Sequence, residues 1–301
     1  MQRSRGRAPA APALTPSRGG AIIAPQMPAV SVVFPTFDQP QALAFALLGY
    51  QRQSFTDFEV VVADDGSDEA TRAVIEEFRR TSAFPVKHVW QENRGFRKPR
   101  IVNEGVRASE GRLLVFSDGD CIPHRDFLRA HAEAVGPGAF ATGASVVLGA
   151  EYCRTLTREA VRAGDYERQV GWGTRLAFLW THAVRNGLGV LFGKTGRPKI
   201  LGRNVSVDRE VFYAINGFDE NYDGFGKEDS DLRNRLRRHG ARPVSLWTRA
   251  WVYHVDDSAD PVRRVPRIPR TTNLEYYRRP DTPVRCENGL VKEGSGAGAP
   301  K

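Results

Sequence analysis

"FEVVVADDGSDEATRAVIEEFRR", residues Phe58 to Arg80, contains a whole strand, turn and helix in one line. Its first part, Val60 to Ala63, is a continuous apolar run rather than an alternating one, which reads as a strand covered on both faces. Asp64, Asp65, Gly66 and Ser67 stop the run, because Asp bonds its own backbone and Gly accepts positive φ. Helical spacing follows, with Ser67 or Asp68 as N-cap and acidic residues in the first turn.

The same unit recurs on both sides. Upstream, "AVSVVFPTF" is a β-branched strand stopped at Pro35, and "QALAFALLGYQRQ" is a helix. Downstream come the strand "FPVKHVWQ", the helix "PRIVNEGVRAS" and the strand "GRLLVFSDGD". Continuous strands alternating with helices predict an α/β fold, a mostly parallel central sheet flanked by helices on both faces. Ligands of such sheets bind beyond the carboxyl ends of the strands. Pro35-Thr36, Asp64-Asp65 and Asp118-Gly119-Asp120 all end strands, so the sheet would gather them at one rim.

Asp118-Gly119-Asp120 has two readings by itself. It makes an ordinary strand-ending turn, and carboxylates two residues apart in extended chain also converge on one hard cation.

Beyond about Ala144 the pattern loosens. Residues 151–199 read as a helical insert over the rim, rich in Arg and Trp. "ILGRNVSVDREVFYAINGFDE" returns to strand, helix and turn, "GKEDSDLRNRLRRHG" is a charged helix ended by Gly240, and "RPVSLWTRAWVYHV" is a late strand pair. Residues 1–28 read as a disordered basic tail and residues 257–301 as a second, loosely held basic tail.

Composition narrows the function classes. The chain has 301 residues, 41% hydrophobic, enough for a substantial core, and a net charge of +9. Arg3, Arg5, Arg7 and Arg18 with no acidic neighbour put much of that excess in the N-terminal tail. Such charge fits a nucleic acid, an acidic membrane or a phosphate-bearing substrate, and equally a solvated arginine-rich surface. Cys121, Cys153 and Cys286 match neither a disulfide framework nor a zinc pattern, which suits a reducing, cytoplasmic compartment. No stretch approaches the roughly 20 apolar residues of a membrane span, and no secretory leader is expected. "LAFLWTHAVRNGLGVLFG", broken by His182, Arg185 and Asn186, reads as an amphipathic helix, expected to pack into the core rather than lie on a membrane.

Four motifs in order then carry a resemblance. They are "VVFPTFDQ" with "VVVADDGS", "ENRGFRKPRIVNEGV", "SDGD", and "NGFDENYDGFGKEDSDL". From Val30 to His254 the chain resembles a GT-A-fold inverting glycosyltransferase of family two. Its last motif is also similar to the catalytic motif of β-1,4-galactosyltransferases and bacterial chondroitin-type polymerases.

That resemblance implies a domain over 29–256, with a nucleotide-binding half at 29–123 and an acceptor and catalytic half at 124–256. It implies that Pro35 and Thr36 lie against the nucleotide base, and that Asp64 and Asp65 meet base and ribose, Asp64 being favoured for the base. Arg97 and Arg100 would contact base or diphosphate. Lys98 falls on another face if the helix begins near Pro99. Asp120 would hold Mn²⁺ or Mg²⁺, with Asp118 on the ribose or a metal-bound water, and His254 would complete the shell and favour Mn²⁺. Asp229 is implied as general base and Glu228 as the acceptor-orienting partner. Phe225 stands where relatives carry Trp, and the 151–199 insert has no family counterpart.

The function implied is metal-dependent, inverting transfer of a sugar from a UDP-sugar to a hydroxyl of a glycan or lipid-linked acceptor, in cell-surface polysaccharide or glycolipid synthesis. The enzyme would be cytoplasmic or peripheral on the inner membrane face, held there by the C-terminal tail with Tyr276 and Tyr277. No nucleic-acid partner is expected. Two other readings stand beside this one. A sugar-1-phosphate nucleotidyltransferase would carry a Gly-rich signature that "FPTFDQPQ" lacks, and a catalytically silent polyanion-binding module would gain nothing from gathered carboxylates.

Overall fold

The computed structural model describes residues 27–194, 196–255 and 271–292. The chain opens with strand–helix units: β1 (Val30–Thr36), α1 (Pro40–Gln51), β2 (Phe58–Asp64), α2 (Glu69–Thr81), β3 (Val86–Trp90), α3 (Lys98–Ala108) and β4 (Leu113–Phe116). β5 (Cys121–Pro123), α4 (Phe127–Ala134), β6 (Ala139–Thr142) and β7 (Ala144–Val147) follow. The insert consists of α5 (Ala150–Thr155), α6 (Arg158–Ala163), a 3₁₀ turn (Asp165–Gln169), α7 (Trp172–Trp180), a π-helical stretch (Thr181–Leu188) and α8 (Gly189–Leu191). The chain then continues through β8 (Val205–Asp208), α9 (Arg209–Ala214), α10 (Glu228–His239), β9 (Arg242–Ser245), β10 (Trp251–His254) and α11 (Thr271–Arg278).

The strands form a seven-stranded sheet ordered β3-β2-β1-β4-β8-β6-β9 and a small sheet ordered β5-β10-β7. β3, β2, β1 and β4 are all parallel, and β8 alone runs against both of its neighbours. The alternation of buried side chains explains the continuous apolar runs. Val60 and Val62 enter one core, Val61 and Ala63 the other, so neither face of β2 is left to solvent. Gly105 lets α3 lie tightly on the second face, since a Cβ there would come within 2.7 Å of Val33. Asp68, not Ser67, caps α2 by accepting from the Thr71 amide at 3.2 Å.

The structure differs from the sequence reading in three places. β9 and β10 do not pair with each other: β9 extends the large sheet beside β6, and β10 joins the small one. The stretch expected to pack into the core does so only through one stripe. Phe178, Thr181, Asn186 and Gly189 are buried, whereas Leu176, Leu179 and Trp180 face outward. Residues 271–292 are not a loose tail. Cys286 and Leu290 are buried, and Tyr276 and Tyr277 bond Asp219 and Asn234 at 2.8 and 2.9 Å, so those tyrosines belong to the fold. Residues 1–26, 257–270 and 293–301 of the two expected tails lie outside the described residues, as does residue 256 at the end of the expected domain.

Candidate active site

The rim forms because three strand ends are stitched to one another by backbone. The Thr36 carbonyl accepts from the Asp65 amide and the Pro35 carbonyl from the Gly119 amide, both at 2.9 Å. Glycine is required at the second contact, because a Cβ on Gly119 would sit 2.9 Å from the Pro35 oxygen. Thr36 Oγ1 is buried and has no partner among the described residues.

At the end of β2 both aspartates are held. Asp64 accepts from the Ser67 amide at 2.8 Å and pairs with His88 Nε2 at 3.0 Å. Burial opposes its charge, yet these bonds outweigh that and hold its carboxyl below the ordinary value. Asp65 accepts from Gln91 and from the Arg97 amide, but burial wins and pushes its carboxyl up.

The first turn of α3 brings a cation that the sequence reading turned away. Lys98 is itself the first helical residue, and its Nζ donates to Asp118 Oδ1 at 2.8 Å. Side chains of a first turn lean toward the helix N-terminus, here toward the rim. Arg203 approaches the other oxygen of Asp118 at 3.9 Å. Arg97 spends its guanidinium on the Glu92 carbonyl. Arg97 and Arg100 line a cleft of about 520 Å³ with Glu104, Glu220, Tyr222 and Lys292, so Lys98 rather than Arg100 is the cation beside the Asp-Gly-Asp acids.

Antiparallel pairing of β10 with β5 sets His254 opposite Cys121, which puts His254 Nε2 at 3.2 Å from Asp120 Oδ2. Burial works against the Asp120 charge, but the bond and charge of His254, with Cys121 and Arg203, hold it low. Asp118, Asp120 and Cys121 offer ligand atoms within 4.8 Å of one another. Burial pushes the Cys121 thiol well up, so it stays protonated and donates to Asp120 at 3.2 Å. Two carboxylates and an imidazole are a donor set that suits a divalent cation such as Mn²⁺.

The second group of acids opens α10. Gly226 and Lys227 both take positive φ, 113° and 78°, and turn the chain so that Glu228 and Asp229 begin the helix. Asp229 Oδ2 accepts from the Gly202 amide at 3.1 Å, while Oδ1 is buried with no partner among the described residues, as is Glu228 Oε2. Burial and the Asp229 charge push Glu228 up to about 7, with Lys98 opposing. Burial also raises Asp229, with Lys98 pulling it down and Asp118 pushing it up. Lys98 is thus the counter-ion shared by the metal-type acids and the α10 acids.

Asp231 belongs elsewhere: it makes a buried 2.6 Å bond to Arg235. Phe225, half exposed, stands edge-on to Phe96 at 6.0 Å, three residues before Glu228. Gly202 and Arg203 were missed in the sequence, where "LGRN" has no spacing that marks it as more than a strand entry.

A parallel half that continues into a mixed half, with acids gathered at the strand ends, is the architecture of GT-A glycosyltransferases. The chain belongs to glycosyl transferase family 2, whose model matches residues 31–185; residues 187–275 match the model described as N-terminal domain of galactosyltransferase. It is 31% identical to a validoxylamine A glucosyltransferase of Streptomyces hygroscopicus, over 75% of this chain and 55% of the relative. The chain therefore spans about half the length of that relative. Among solved structures it resembles the mannosyltransferase PcManGT of Pyrobaculum calidifontis in complex with GDP-Man and Mn²⁺, with TM-score 0.52 and 20% identity over 77% of this chain and 58% of that one. It also resembles TarS 1–349 of S. aureus in complex with UDP-GlcNAc, with TM-score 0.52 and 18% identity over 74% of this chain and 57% of that one. Among the described residues no helix is long and apolar enough to cross a membrane.

Proposed function

We propose that the protein transfers a sugar from a UDP-sugar, with a divalent cation and with inversion, to a hydroxyl of a glycan or lipid-linked acceptor. One observation carries this reading above the others. Asp229 has one oxygen held by Gly202 and one buried with no partner among the described residues, and Lys98 lies between it and Asp118 of the Asp-Gly-Asp turn. A general base must keep a lone pair facing its substrate and stay charged while doing so.

In this reading Pro35, Thr36, Asp64 and Asp65 receive base and ribose, Asp64 taking the base. Lys98 and Arg203 meet the diphosphate, while Arg97 acts through its amide, which holds Asp65, and Arg100 stays in the neighbouring cleft. Asp120, Asp118 and His254 hold Mn²⁺ or Mg²⁺, which when bound offsets the charge that develops on the leaving diphosphate. Glu228, raised by its surroundings, donates to the acceptor and orients it. Asp229 takes the acceptor proton as the acceptor oxygen bonds to the anomeric carbon and the bond from that carbon to the UDP oxygen breaks. The neighbours solved with UDP-GlcNAc and with GDP-Man and Mn²⁺ support the donor class and the cation.

The test is transfer across a panel of UDP-sugars with Mn²⁺, Mg²⁺ or EDTA. Asp229→Asn is expected to lower turnover by about 10²- to 10⁴-fold, the range of general-base catalysis. Unchanged turnover in that variant, or a product that keeps the donor's anomeric configuration, would overturn the mechanism.

A further inference from the structure

The insert meets the body through a narrow, partly polar stripe. Between Trp172 and Phe192 that stripe is Phe178, Thr181, His182, Asn186 and Gly189: His182 and Asn186 bond Ser245 Oγ at 3.2 and 3.3 Å, and Asn186 accepts from the Lys199 amide. Apart from the buried Phe178, most of its large apolar side chains turn outward. Trp172 is 83% exposed, Leu191 75% and Phe192 72%, with Leu176, Leu179 and Trp180 between them. Their spacing keeps them on one side of the continuous helical segment.

From these contacts we infer that α7, the π-helical stretch and α8 form a surface that docks on an anionic lipid bilayer. Charge selects this occupant. Arg175, Arg185, Lys194, Arg197 and Lys199 lie in the same segment, and no acidic residue occurs from Trp172 to Lys199. A second copy docking through the same patch would set these cations against themselves, whereas an anionic leaflet attracts them. Tryptophan at two points of an apolar face flanked by Lys and Arg suits the headgroup boundary. Tyr276 and Tyr277, expected as part of a C-terminal anchor, bond Asp219 and Asn234 instead, and the basic residues 262–270 of that anchor lie outside the described residues.

The chain leaves this face at Lys199 and reaches Gly202, which holds Asp229. Delivery of a lipid-linked acceptor from this surface rests on the function proposed above; lipid binding itself does not.

The experiment is flotation of the full chain with vesicles of phosphatidylcholine alone or mixed with phosphatidylglycerol, read without donor or acceptor. Two variants are compared, Trp172→Ser with Leu191→Ser and Phe192→Ser, and Arg185→Glu with Lys194→Glu, each first checked by circular dichroism. Wild type is expected to float with the anionic vesicles, the apolar variant to bind at least about 10-fold more weakly, and the charge variant to lose its preference for anionic lipid. Wild type that stays at the bottom of the gradient, or flotation unchanged in both variants, overturns the inference. So does a dimer in sedimentation velocity that the apolar variant dissolves while no vesicle is bound, which would give the face to a second copy. UDP binding measured on the same samples separates failure here from failure of the proposed transfer reaction.

Discussion

Asp229 is positioned by a residue that has no side chain. A Cβ on Gly202 would fall 2.2 Å from Asp229 Oδ2, so the carboxylate and a side chain at position 202 cannot share the space. Gly202→Ala is expected to push the carboxylate off its amide donor and lower kcat by roughly 10²-fold, the scale of a displacement of about 1 Å. UDP affinity should change less than kcat, because Gly202 offers no side chain to the nucleotide and its amide is spent on Asp229. Steady-state kinetics beside calorimetry checks this; an unchanged kcat would mean that Asp229 need not be held by residue 202. At this scale the acids were legible in the sequence and the cations were not. Asp and Gly at a strand end signal their own local conformation. The reach of Lys98 depends on how α3 packs on the sheet, through Pro99, Val102 and Val106, which spacing alone leaves open.

α10 combines chemistry and anchorage within one turn. Glu228 and Asp229 face the site, while Asp231 bonds Arg235, whose guanidinium also donates to the carbonyls of Ile215 and Gly217. Both partners are at most 3% exposed. Arg235→Met leaves Asp231 buried without its counter-charge and is expected to cost about 3–5 kcal/mol of stability, read from urea unfolding. Adding Asp231→Leu should recover part of the loss, since replacing a whole buried pair is far milder than breaking one. A loss under 1 kcal/mol in the single variant would show that the pair does not anchor the helix. The elements of the sheet were legible because a strand buried on both faces must be apolar throughout, as Val60 to Ala63 are. The insert illustrates the converse. Periodicity marks an apolar stripe, but whether Trp180 or Asn186 faces the protein is decided by partners such as Ser245, remote in sequence.

Across the whole molecule the two sheets are joined by buried polar contacts as well as by apolar burial. His131 on α4 meets Ser206 Oγ at 2.7 Å and Asn204 Oδ1 at 3.0 Å. Asn204 in turn donates to the carbonyls of Ala144 and Ala250, which link the two sheets. Burial holds His131 down at about 4, against 6.5 for the free side chain. The unfolded chain therefore binds a proton near pH 6.5 that the folded one refuses until about pH 4, and stability falls as pH drops through that window. The loss from this group reaches about 3 kcal/mol at the lower end. Urea unfolding between pH 7 and 4 should show a steeper decline in wild type than in His131→Gln; parallel curves would remove His131 as the cause. Long-range joins of this kind, like the packing of Cys286 and Leu290 against the body, are not visible in local sequence patterns, because each depends on partners distant in the chain.

The proposed transfer requires the Asp-Gly-Asp turn to be a cation and diphosphate site rather than only the end of a strand. UDP binding by calorimetry, with Mn²⁺ and with EDTA, in wild type and Asp120→Ala, addresses that directly. A cation site there gives UDP binding with Mn²⁺ that EDTA abolishes and that Asp120→Ala lowers by at least about 10-fold. Equal binding with and without the metal, or in both proteins, or no UDP binding under any condition, would contradict it.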